Sequence, residues 1–161
     1  MKRYLLLLLF FSVGVSTYAQ SISFFELTNL TNLSQGEAHT YLTLGKVFKQ
    51  QYIQEVDGQK IEHFRTVDPK QKEQTVVIGE SNKLSNGTVL RTVVYTTRDP
   101  QHVVNMISDA KRNNLKMSFQ GQDADNNIYM FENDFYHVAM YISTTENKGS
   151  VEIKQKEFVG Y

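Results

Sequence analysis

The spacing of apolar residues changes along this chain. Leu27, Leu30 and Leu33 recur every three residues, and Ala38, Tyr41 and Leu42 then fall at helical spacing. Ser34 and Glu37 form a capping box ahead of that second run, and Gly45 follows it as a stop. The spacing predicts a helix over 35–44, preceded by a short helix or turn on the same core. From Lys46 the period becomes two. Phe48, Tyr52 and Val56 are expected on one strand face, Asp57-Gly58 signals a hairpin turn, and 61–67 reads as the partner strand. After a polar connection at 68–73, strands at 75–81 and 88–97 form a second hairpin around Asn86-Gly87.

The pattern then restarts. Asp99-Pro100 opens a helix, with Asp as N-cap and Pro at the first helical position. Val103, Val104, Ile107 and Ala110 make its apolar stripe, Lys111 and Arg112 suit its negative end, and Asn113-Asn114 can stop it. Strands follow at about 116–122, 127–132, 135–144 and 150–158. The expectation is an α+β fold made of a duplicated helix-plus-four-strand unit, with pseudo-repeats over about 24–97 and 98–161. Ser81–Gly87 and Ser143–Gly149 have equal length and the same end residues, and Val76, Ile78 and Val89 align with Val138, Met140 and Val151. About eight extra residues of the first half are assigned to the 68–73 connection. Such units place their strands in one antiparallel sheet with the helices on one face.

Ahead of the first repeat, Lys2 and Arg3 precede an apolar run from Leu5 to Phe11, and Thr17 and Ala19 are the small residues of a cleavage site. The run is shorter than the ~20 residues a membrane span needs. A signal peptide over 1–19, cut after Ala19, is therefore expected, leaving one domain over 20–161 in the periplasm or secreted. The signal carries two of the 17 basic residues, so 15 face 17 acidic ones and the mature charge is about −2. That interspersed balance offers no basic face for nucleic acid and no patch for an anionic membrane. The absence of cysteine excludes disulfides, thiol catalysis, thiolate metal sites and a lipidated cysteine.

No catalytic residue is assigned, and neither a cofactor nor a metal is expected. His39, His63, His102 and His137 have no metal-ligand spacing. Asp123-Ala124-Asp125-Asn126-Asn127 begins like a calcium loop, but Ile128 stands where glycine is needed, and a polar hairpin turn is the better reading. Nucleophile-elbow and phosphate-loop glycine motifs are absent.

Several strands are apolar on both faces. In 135–142, Tyr136, Val138, Met140 and Ile142 are expected to face the helices, with Phe135, His137, Ala139 and Tyr141 facing away. In 88–97, Leu90 and Val94 are expected in the core, leaving Arg91, Val93 and Tyr95 outside. Water should meet a polar far face. Aromatic residues with Arg and His instead mark a binding surface, and Arg91, Tyr95, Phe135, His137 and Tyr141 are its candidate residues.

The lead-in Leu27/Leu30/Leu33, the junction Leu44-Gly45-Lys46-Val47-Phe48 and Val94-Tyr95-Thr96-Thr97 before Asp99 resemble small uncharacterised exported proteins of Bacteroidetes-type bacteria. The duplicated plan is also similar in architecture to the β-lactamase inhibitor protein fold, whose members bind a protein on a concave sheet. That family's two cysteine pairs are missing here. Two functions are open: a non-catalytic module binding a protein or peptide through the far sheet face, or a small extracytoplasmic hydrolase or ligand-binding protein.

Overall fold

The computed structural model describes residues 21–69 and 72–157, apart from the side chain of Ser81. The expected signal peptide lies outside the described residues. Two capping boxes start the fold. Ser23 and Glu26 open α1 (Phe24–Asn32), and Ser34 and Glu37 open α2 (Gln35–Leu44), each glutamate reaching back to its cap. Gly45 ends α2 with ordinary helical φ, and the left-handed residue is Lys46 at φ 54°. Four strands follow: β1 (Phe48–Val56), β2 (Gln59–Thr66), β3 (Gln74–Lys83) and β4 (Val89–Thr97). Then come α3 (Pro100–Arg112), β5 (Lys116–Gln122), β6 (Asn126–Glu132), β7 (Tyr136–Ser143) and β8 (Gly149–Gln155). Asp57 and Gly58 both take positive φ in the first hairpin, the tight turn that matches strand twist.

The fold is α+β, with one eight-stranded antiparallel sheet ordered β1-β2-β3-β4-β8-β7-β6-β5. The last strands of the two meanders meet at its centre. α1 rests on β4 and β8, α2 on β1, and α3 on β7 and β8. Between helices and sheet lies a continuous core that includes Leu27, Leu30, Phe64, Val76, Val93, Tyr95, Val103, Phe131, Met140 and Ile153. Among the described residues, no helix is long and apolar enough to cross a membrane.

Three register details differ from the sequence expectations. A bulge between Gln50 and Tyr52 breaks the alternation of β1. Phe48 is buried under the helices, while Tyr52 and Val56 turn to the other face. A bulge sits at the matching place in β5, between Met117 and Phe119. Second, β4 has the opposite facing to that expected. Tyr95 pairs with Val76 and Val93 with Ile78, all buried, so Thr92, Val94 and Thr96 face away. Leu90 is buried but stands outside the main core cluster. Third, the position matching Val151 is Val93 rather than Val89, because Val93 pairs with Ile78 as Val151 pairs with Met140. The β3–β4 hairpin is therefore four residues longer than β7–β8 between equivalent pairs. The extra length of the first half is divided between that hairpin and the 67–73 connection.

Candidate functional site

The registers align one residue per strand into a row across the face away from the helices. It runs Tyr52, His63, Val77, Val94, Glu152, Ala139, Met130, Phe119. Tyr52 and Phe119, the residues just past the two bulges, end it at 54% and 48% exposure. The members between them are half-buried. A parallel row places Thr75, Thr96, Ser150, Tyr141, Ile128 and Gly121 side by side. The middle strands thus present small side chains, and large ones stand towards both edges.

Each edge has its own chemistry. Tyr52 stacks on His63 with ring centroids 4.1 Å apart and an interplanar angle of 19°. The His63 Nε2 is buried with no hydrogen-bond partner among the described residues. Loss of hydration lowers the His63 pKa, which favours a neutral ring. At the other edge, the Phe119 ring covers Gly121, where a Cβ would come within 2.5 Å of it. An aromatic ring over an edge-strand glycine restores the packing that the glycine lacks. Ile128, Met130, Ala139 and Tyr141 continue this apolar patch over β6 and β7.

Charges lie beside this patch, at the sheet centre on β8 as well as towards the edges. Glu152 pairs with Lys154 at 3.0 Å, and the His137 Nδ1 lies 3.6 Å from Glu132. Lys49, Arg65 and Lys116 stand nearer the edges on β1, β2 and β5. Arg65 donates to Glu73 at 3.0 Å, beside a cavity of about 570 Å³ also lined by Lys49, Lys72 and Arg98. Arg98 shares Glu73, and Lys72 pairs with Asp99, so much of that cationic charge is compensated within the protein.

The five residues proposed from sequence do not form one site. Tyr95 is fully buried under the helices, where its hydroxyl donates to the Gln74 Oε1 at 3.1 Å and lies 3.2 Å from the His102 Nδ1. Burial pushes its phenol pKa far up. Arg91 shares that facing, and its charge acts on Glu37 of α2. Phe135 precedes β7, half exposed, with its carbonyl accepting from the Lys156 amide at 2.7 Å. His137 and Tyr141 lie on the far face, flanking Ala139. Sequence reasoning missed Tyr52, His63, Phe119, Ile128 and Met130. The alternation of Ile128 and Met130 with the inward Tyr129 and Phe131 carried a signal for β6. The bulges that place Tyr52 and Phe119 left none.

On the helix side the polar groups serve the fold. The Glu62 carboxylate is buried and accepts from Gln50 at 3.2 Å, with the His39 Nδ1 3.1 Å away, tying α2 to β1 and β2. Asp99 is partly desolvated, which raises its pKa, but the Lys72 hydrogen bond and the charges of His102 and Lys72 outweigh this and leave it lowered. Burial likewise acts upward on Glu26, and its bonds from Ser23 and Tyr41 more than reverse it. Glu37 is lowered by its Ser34 cap, and Asp123 by the Asp125 and Asn126 amides of its turn. These carboxylates hold protons less tightly folded than unfolded. The stability they contribute is present above their ordinary values of 3.8 to 4.5 and is lost as pH falls through the folded values. Thermal midpoints measured in acid should fall along that range, and Asp99→Asn should flatten the dependence. An identical slope in the variant would refute the assignment to Asp99.

Comparison with known proteins finds no matching family model, no similar curated protein and no similar solved structure.

Proposed function

We propose that this is an exported, non-catalytic binding module that docks a folded protein on the sheet face away from its helices. The observation carrying this reading is the transverse row that runs from the exposed Tyr52 to the exposed Phe119 through half-buried side chains, with the apolar patch of Ile128, Met130, Ala139 and Tyr141 over β6 and β7. Eight strands ~4.8 Å apart give a face roughly 34 Å wide and, over three residues per strand, about 20 Å tall. That area is close to the ~800 Å² per partner of a standard protein interface, and larger than a single extended peptide covers. Peptide addition at a sheet edge is disfavoured by the bulges in both edge strands. Two copies of a helix-plus-four-strand unit build the face, a reading supported by the matching bulges and registers. Its side chains include Lys49, Arg65, Lys116 and Lys154 against Glu132 and Glu152. Arg65 is paired with Glu73 and Lys154 with Glu152, so Lys49 and Lys116 towards the two edges are the cations that a partner with an acidic rim would meet.

A hydrolase reading has less support. A general acid needs a carboxyl group held protonated by its surroundings. Glu26, Glu37, Asp99 and Asp123 are shifted the other way, and they cap helices and turns.

Photo-crosslinking residues placed singly at Tyr52, Phe119 and Tyr141 in the exported protein should give adducts of one common mass, weakened by salt. The same residue at Val104, exposed on α3, should give none of that mass. A partner captured equally from Val104, or from none of the three far-face positions, would reject the reading.

A further inference from the structure

Between β3 and β4 the chain turns through Leu84, Ser85, Asn86, Gly87 and Thr88, and residues 85–88 are exposed. The Thr88 amide donates to the Asn86 Oδ1 at 2.9 Å. This is an Asx turn, and its ring of atoms includes both the Asn86 Cγ and the Gly87 nitrogen. The side-chain amide is thereby held beside the peptide nitrogen that follows it, and the accepted hydrogen bond draws electrons away from Cγ. Gly87 takes φ 87°, and a Cβ placed on it would meet nothing within 4 Å. Neither a side chain nor a neighbouring element crowds that residue. Asn133 supplies the contrast. Its Oδ1 accepts from the Phe135 amide at 2.9 Å in the same kind of turn, but the residue between is Asp134, which brings a side chain and a negative charge. Asn86 is the one asparagine of the chain that glycine follows.

We propose that Asn86 is a site of spontaneous deamidation, converting in the folded protein to aspartate and isoaspartate through a cyclic imide. The proposal is independent of the docking reading. The Gly87 nitrogen, on losing its proton, attacks the Asn86 Cγ, and a new C–N bond closes a five-membered ring. The Cγ–Nδ2 bond breaks, and Nδ2 leaves as ammonia with the proton that Gly87 gave up. Solvent water then adds to one of the two ring carbonyls. Opening at Cγ restores the ordinary backbone and leaves aspartate. Opening at the backbone carbonyl routes the chain through Cγ and leaves isoaspartate, with one more carbon in the backbone. No oxidant or cofactor is consumed. The Gly87 amide donates to the Leu84 carbonyl at 2.9 Å, so attack waits on the opening of this turn. Both products add a negative charge, but they differ in the turn they allow. Aspartate keeps an oxygen for the Thr88 amide. The longer isoaspartyl backbone breaks the register of the Leu84–Thr88 and Gly87–Leu84 bonds, at the wall of a small cavity also lined by Leu90, Phe135 and Lys156.

The test is peptide mapping of the full chain, purified from its host and aged in neutral buffer, with isoaspartyl methyltransferase as the probe of the second product. The peptide containing Asn86 should exchange its amide for an acid about tenfold faster than the peptide containing Asn133, and should take the methyl label. Equal or faster conversion at Asn133, or an Asn86 that keeps its amide throughout, would overturn the proposal. Asn86→Gln would have to close a six-membered ring, so most of the ammonia released on ageing should be lost in that variant. Unchanged release would place the chemistry elsewhere and reject the site. Asn86→Asp supplies the first product alone. Amide hydrogen exchange at Leu84 and Gly87 should be several-fold faster in the isoaspartyl form than in Asn86→Asp. Equal exchange in the two would overturn the rearranged turn.

Discussion

Tyr95→Ser should destabilise the domain by about 3–5 kcal/mol, the range for truncating a buried aromatic side chain. Tyr141→Ser, on the same sheet but the opposite face, should cost under about 1 kcal/mol. Tyr95 is fully buried between α1, α3 and the sheet, and the phenol that makes it look amphipathic in sequence is satisfied internally by Gln74 and His102. Serine would remove the ring and could not span the distance to Gln74, leaving a buried amide short of a partner. Urea unfolding of the two variants separates the cases. A Tyr95→Ser midpoint equal to that of the parent protein would mean that the facing of β4 is wrong. Loss of partner binding by this variant would say nothing about the far face, because the core would already be damaged.

That contrast also shows how far sequence reaches. The α+β class, the order of elements, the caps and the Asp57-Gly58 turn were legible because each depends on a few neighbouring residues. The facing of β7 was legible as well, because Val138 is more apolar than His137 and Met140 is larger than Ala139. In β4, Val93 and Val94 are the same residue, and Leu90 and Tyr95 pull in opposite directions. Local alternation cannot choose between them. The choice is made across the sheet, where Tyr95 and Val93 meet Val76 and Ile78 under the helices. The candidate site suffered from the same gap. A single bulged residue reverses every later side chain of its strand, so Tyr52 and Phe119 reached the far face by a step that no residue pattern marks.

Gly149→Ala should destabilise the domain by about 1–3 kcal/mol, the cost of overpacking a well-filled core. A Cβ at this position would lie 2.6 Å from the Val103 Cγ2 and 3.3 Å from the Tyr141 carbonyl oxygen. Val103 is fully buried on α3, so the contact can be relieved only by moving that helix off β8. Val103→Ala alone should cost about 1–3 kcal/mol through the cavity it leaves. Combined, each change fills or vacates the space the other needs. The double variant should therefore be more stable than the sum of the singles by more than ~0.5 kcal/mol. Strict additivity in urea melts would refute direct contact between α3 and β8 at this point. The register gives the comparison a wider meaning. Gly149 pairs with Ile142 as Arg91 pairs with Glu80, so Arg91 holds the equivalent place in the first meander. A long charged side chain there prevents the close approach that Gly149 allows. The two halves also differ in helix seating: α3 lies on β7 and β8, whereas α2 lies out on β1 and α1 covers β4. Gly149 on β8 and Arg91 on β4 thus mark a place beneath the helices where the two meanders differ.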